Sequence, residues 1–136
     1  MHHTNQQGDI GVAKVIADLL ANGERLLQPI DSTCPYDLAI DKGGKLTRVQ
    51  VKYRTVNNGV LQVQLRRASV CYGKPKYRRN EEVDLIAIYS PTTDACYYIP
   101  VEELDGKGAI SLRVEPAKNG QRSGIKLADD YRGVAQ

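Results

Sequence analysis

The 136-residue chain has no phenylalanine, no tryptophan and a single methionine, with eight tyrosines as its only aromatic side chains. A core without Phe or Trp has to be packed from Val, Ile, Leu and Ala, which argues against a large aromatic cofactor pocket. No apolar run approaches the roughly 18–20 residues of a membrane span, and the N-terminus lacks the basic-then-apolar layout of a signal peptide. An intracellular, cytoplasmic protein with no membrane partner is the expectation. Cys34, Cys71 and Cys96 are odd in number and form no Cys-x-x-Cys pair, which argues against a disulfide framework and a structural zinc site. The length suits one domain, residues 1–136.

A further absence is local. The formal net charge is only +3, yet no acidic residue occurs between Lys42 and Arg79, a stretch holding eleven Lys and Arg. Two basic and six acidic residues precede it, and six basic and ten acidic residues follow. Such a segment must face solvent, the acidic flanks or a polyanion.

Gln6 to Ala21 carries apolar residues near a 3.6-residue period, with Gly23 as a stop signal, and predicts a helix. Arg25 to Ile30 reads as a short strand, followed by the polar loop Asp31 to Pro35. Tyr36 to Asp41 and Lys45 to Arg54 alternate on either side of Lys42-Gly43-Gly44, a hairpin signal, and Asn57-Asn58-Gly59 introduces a strand from Val60 to Arg66. Tyr72 to Arg79 is a basic loop. Val83 to Tyr89 is an apolar run of central-strand type, followed by a strand from Cys96 to Ile99. Pro100 to Leu104 suits a single helical turn, Ile110 to Val114 another strand, and Leu127 to Tyr131 a last turn. The class is α+β: an N-terminal helix, a mixed, mainly antiparallel sheet and short helices.

If Gly43-Gly44 forms a two-residue turn, Asp37 lies across from Gln50. Strand alternation puts Arg48, Gln50, Lys52 and Arg54 on one face, with Val49 and Val51 on the other beside Leu38 and Ile40. An acid, an amide carbonyl and a lysine thus converge. The set suits phosphodiester hydrolysis, in which Asp37, the Gln50 carbonyl and the Val51 backbone carbonyl give a hard divalent cation oxygen ligands while Lys52 stabilises developing charge. A cross-strand Asp-to-Lys ion pair on a polar sheet face accounts for the same residues without chemistry.

Pro35-Tyr36-Asp37, twelve residues, then Gln50-Val51-Lys52 resembles the PD-(D/E)XK nuclease signature in its glutamine variant. That variant occurs in a homing endonuclease branch akin to Holliday junction resolvases. The resemblance extends through Gly8-Asp9-Ile10-Gly11, Leu27-Gln28-Pro29-Ile30, Val83 to Tyr89, Tyr98 to Glu103 and Ala128 to Tyr131. It implies a restriction-endonuclease-like core, Mg2+ or Mn2+ as cofactor, and a bacterial, archaeal or phage origin. By it Asp37 is a metal ligand, Gln50 holds the second ligand position and Lys52 is the motif lysine. One departure is plain: the glutamate expected on the first helix is replaced by Val12, and Asp9, one turn earlier on roughly the same face, either reaches the metal in its stead or compensates the helix dipole.

Arg48 and Arg54 flank the motif, and Arg66, Arg67, Lys74, Lys76, Arg78 and Arg79 follow, all suited to neutralising phosphates of duplex or branched DNA. Three functions compete: a metal-dependent DNA endonuclease, an inert DNA-binding protein on the same scaffold, and an RNA- or protein-binding domain whose acidic flanks cancel the basic strip. Cutting two strands needs two sites, so a homodimer or homotetramer is expected.

Overall fold

A computed structural model describes residues 3–64, 70–71, 74–75, 82–104, 108–115 and 126–134. Helix α1 spans His3–Ala21, starting three residues earlier than the sequence pattern. The face through Gly11, Val12, Val15, Ile16 and Leu19 packs on the protein, while Ile10 and Leu20 stay exposed. Its end is a Schellman cap: Gly23 takes φ +83°, the Glu24 N–H donates to the Leu19 carbonyl at 3.0 Å and the Gly23 N–H to the Leu20 carbonyl at 3.0 Å.

Strand β1 spans Arg25–Leu27, β2 Leu38–Lys42 and β3 Lys45–Tyr53. Strand β1 stops before Pro29, which has no N–H for the ladder, instead of running to Ile30. The β2–β3 hairpin has the predicted register, from Leu38 opposite Val49 to Lys42 opposite Lys45. Gly43 (φ +60°) and Gly44 (φ +88°) both take the left-handed backbone that a type I′ turn demands at its two central positions. Asn58 (φ +53°) and Gly59 (φ +73°) repeat the device ahead of β4, Val60–Gln64. Two short strands, β5 (Val70–Cys71) and β6 (Lys74–Pro75), form a ribbon, the second of them inside the loop expected from Tyr72 to Arg79. Then come β7 (Leu85–Ser90), β8 (Ala95–Pro100), a 3-10 turn at Val101–Leu104, β9 (Ala109–Arg113), β10 (Lys126–Leu127) and a second 3-10 turn at Ala128–Tyr131.

The main sheet has the order β1-β2-β3-β7-β8, antiparallel except for the central β3–β7 pair, which is parallel. A smaller sheet, β10-β9-β4, covers one of its faces and α1 the other. This explains the unbroken apolar run of β7, since a strand covered on both sides needs no polar alternation. Leu85, Ala87 and Tyr89 meet the layer of Val15, Leu19, Leu38, Ile40 and Val49. Ile86 and Ile88 pack with Leu61, Val63, Ile110 and Leu112. Strands β4 and β9 instead alternate, with Gln62 and Ser111 turned outward, because only one face of the small sheet is buried. Among the described residues no helix is long and apolar enough to cross a membrane.

Candidate active site

Strand β3 outruns its neighbour: β2 begins at Leu38, opposite Val49, while β3 continues to Tyr53. Backbone groups of β3 alternate between its two neighbours. Those of Arg48 and Arg54 reach the β7 side, where the Arg48 carbonyl accepts from Asp84 N–H at 2.9 Å and the Arg54 N–H donates to the Tyr89 carbonyl at 3.0 Å. Those of Val49 and Val51 therefore face β2. Past Leu38 none of the described strands pairs with Val51 on this side, and Asp37 fills the gap. Its N–H donates to the Val49 carbonyl at 2.8 Å, and its carboxylate Oδ2 accepts the Val51 N–H at 2.7 Å. A side chain thus completes the ladder across from Gln50, and a backbone N–H to carboxylate bond is of the stronger, charge-assisted kind.

The arrangement fixes the three motif residues together. Asp37 is tied to the backbone atom between Gln50 and Lys52. Gln50 and Lys52 project from the face opposite Val49, Val51 and Tyr53, which pack toward α1. All three motif side chains are half-buried. The Val51 carbonyl points to the same edge of β3 as its N–H, the edge that Asp37 occupies.

Arg48 is occupied. Asp84, just ahead of β7, accepts from the Arg48 N–H at 2.9 Å, from Nε at 3.0 Å and from Nη2 at 3.1 Å. These bonds hold the Asp84 carboxyl below its ordinary range and push the Arg48 guanidinium up. No local sequence pattern discloses this partnership, because the two residues lie 36 positions apart across a parallel pairing. Arg54 donates from Nη1 to the Tyr53 carbonyl at 2.7 Å.

The other expected phosphate contacts are less completely placed. Lys74 sits in β6, paired with Cys71. Arg66, Arg67, Lys76, Arg78 and Arg79 lie outside the described residues. Asp9 is exposed on α1, while Val12, at the position of the expected glutamate, packs into the helix-side core. Among the described residues no group of three or more His, Cys, Asp or Glu gathers as a metal centre.

A profile of the PD-(D/E)XK endonuclease family matches residues 2–134, nearly the whole chain and every residue of this site. The chain belongs to the PD-(D/E)XK endonuclease family. Two solved structures frame this PD-(D/E)XK chain. The bacterial homing endonuclease I-Ssp6803I superposes with a TM-score of 0.70 at 26% identity, covering 97% of this chain and 88% of that one. The Holliday junction resolvase Hjc of the archaeal hyperthermophile Archaeoglobus fulgidus superposes with a TM-score of 0.51 at 17% identity, covering 96% and 99%, a likeness of fold. No curated protein sequence matches the chain at a significant level. The α+β, restriction-endonuclease-like architecture expected from the sequence is the one observed, and the family places the chain among nucleases.

Proposed function

We propose that the chain is a metal-dependent DNA endonuclease that hydrolyses phosphodiester bonds, with Asp37, Gln50 and Lys52 as its site. The observation that carries the reading is the bond from Val51 N–H to the Asp37 carboxylate, which holds an acid between an amide and a lysine at an open strand edge. The bland alternative, a cross-strand ion pair, does not require the carboxylate to bind the backbone or β3 to outrun β2.

The donors available, the Asp37 carboxylate, the Gln50 side-chain oxygen and the Val51 carbonyl, are all hard oxygens and suit Mg2+ or Mn2+. Bound there, such an ion would supply Lewis-acid polarisation of the scissile phosphate. Asp37 fixes the negative charge of the site, and its backbone bond prevents it from swinging away. Gln50 contributes a neutral oxygen, so the donor set carries one formal negative charge. Asp9, one turn before Val12 on α1, is the acid proposed to add another. The Lys52 ammonium stabilises charge developing on the phosphate as the attacking oxygen bonds to phosphorus and the ester oxygen leaves. Arg54, Arg66, Arg67, Lys74, Lys76, Arg78 and Arg79 neutralise flanking phosphates, whereas Arg48 is balanced by Asp84 and contributes less. A homodimer or homotetramer supplies one site per strand.

A second reading, an attenuated or inert DNA-binding protein, is favoured by Val12 and by the single carboxylate in the donor set. Cleavage of a Holliday junction, a linear duplex and a supercoiled plasmid, each with Mg2+ or Mn2+, tests both readings and identifies the substrate. Cleavage of any of these supports the enzyme. Binding without cleavage, with activity appearing in Val12→Glu, establishes the inert scaffold.

A further inference from the structure

Lys52 projects from the face of β3 opposite α1, and its strand is braced from the α1 side by Tyr53. A Cβ on Gly11 would stand 3.6 Å from Tyr53 Cβ and 3.4 Å from Val51 Cγ1, so α1 meets β3 here at backbone distance. The Tyr53 ring lies 5.9 Å from that of Tyr89, tilted by 53°. Tyr89 on β7 is buried, and its carbonyl also accepts the Arg54 N–H, so it touches the chain just past Lys52 twice.

Tyr89 is in turn held by the β7–β8 turn. Its hydroxyl donates to Asp94 Oδ1 at 2.8 Å. The Lys14 ammonium of α1 reaches the same oxygen at 3.3 Å and stands 5.6 Å from the Tyr89 ring centroid. Asp94 has φ +49°, in the left-handed region that glycine or asparagine occupies at less cost. The turn has further ties: Thr92 Oγ1 accepts the Val56 N–H at 3.1 Å, and Thr93 Oγ1 accepts the Tyr97 hydroxyl at 2.9 Å. An acidic turn residue bonded to a strand on one side and a helix on the other does more than close a hairpin. The Lys14–Asp94 pair is exposed and contributes little alone. The weight falls on the Tyr89 bond, which gives the ring one position behind Tyr53.

We infer that Asp94 and Tyr89 are positioning residues that fix, through Tyr53, where β3 presents Lys52. The catalytic consequence rests on the nuclease reading above; the positioning itself does not. A 1 Å misplacement of a catalytic group is costly in rate even when binding is unchanged. The test uses the full chain. Asp94→Gly removes the carboxylate while relieving the backbone, Tyr89→Phe removes only the hydroxyl, and Asp94→Asn keeps an oxygen acceptor.

Asp94→Gly and Tyr89→Phe should lower the single-turnover nicking constant by about tenfold with DNA affinity unchanged, and Asp94→Asn should recover most of the loss. In lysine-labelled protein the Lys52 side-chain NMR signal should move in Asp94→Gly and return in Asp94→Asn, while that of Lys42, at the far end of the β2–β3 hairpin, stays. A stationary Lys52 signal overturns the inference whether or not the protein cuts DNA. So does a shifted signal with an unchanged nicking constant in active protein. If the wild type does not cut, the nuclease reading fails and the NMR result alone decides the positioning.

Discussion

Asp37 has two tasks that substitution can separate, because its carboxylate is both a backbone acceptor and the charge of the candidate site. Asp37→Asn keeps an oxygen for the Val51 N–H and should fold with stability close to the parent while losing metal-dependent cleavage. Asp37→Ala leaves that N–H without its acceptor and should in addition lose on the order of 1–2 kcal/mol, read by urea denaturation. Asp84 gives a residue-scale prediction about acid. Its bonds from Arg48 depress the folded-state carboxyl below the ordinary 3.8. A depressed carboxyl stabilises the fold above its unfolded value, and the contribution is lost as pH falls through that value toward the folded one. Unfolding free energy should therefore drop more steeply below about pH 4 in the parent than in Asp84→Asn, and equal slopes would remove this ion pair from the acid response.

At the scale of elements, two glycines of α1 predict different sensitivities. Gly8 is exposed and open, with no atom within 4 Å of an added Cβ, so Gly8→Ala should stabilise the helix by about 1 kcal/mol. The same change at Gly11 sets a methyl 3.4 Å from Val51 Cγ1, at the limit of ordinary contact, so it should gain less than Gly8→Ala, and a β-branched residue there should force α1 away from β3 and lower both stability and nicking. Thermal unfolding of the three variants checks the order. Much of this was legible beforehand. Gly43-Gly44 dictated a two-residue turn, the turn dictated the register, and the register brought Asp37 to Gln50 and Lys52. What sequence could not supply was the parallel β3–β7 pair, since contact between Arg48 and Asp84 depends on which distant strand docks beside β3. The strand predicted to Ile30 ended early for a local reason, Pro29, that the alternation pattern outweighed. The bond from the Asp37 side chain to Val51 N–H was invisible because it arises where β2 falls short of β3, a tertiary accident of strand length.

The whole molecule is polarised in sequence, and its fold cancels part of that. Lys42 pairs with Glu24 at 3.2 Å and Arg48 with Asp84 at 3.0 Å, both acids coming from the flanks of the acid-free segment. Of the remaining cations of that segment, all but Lys45 and the motif lysine, Lys52, are proposed to neutralise flanking phosphates. DNA affinity should fall linearly with the logarithm of salt concentration, and neutralising Arg78 with Arg79 should flatten the slope by about two counterions; a flat parent profile would point instead to a domain whose charges cancel internally. Sedimentation should show a dimer or tetramer, at least on DNA, if each assembly is to cut both strands. The most direct test of the central claim is nicking of supercoiled plasmid in Mg2+ or Mn2+ by the parent chain and by Lys52→Ala. Metal-dependent nicking by the parent that disappears in the variant is the predicted result, and nicking undiminished in Lys52→Ala would contradict it.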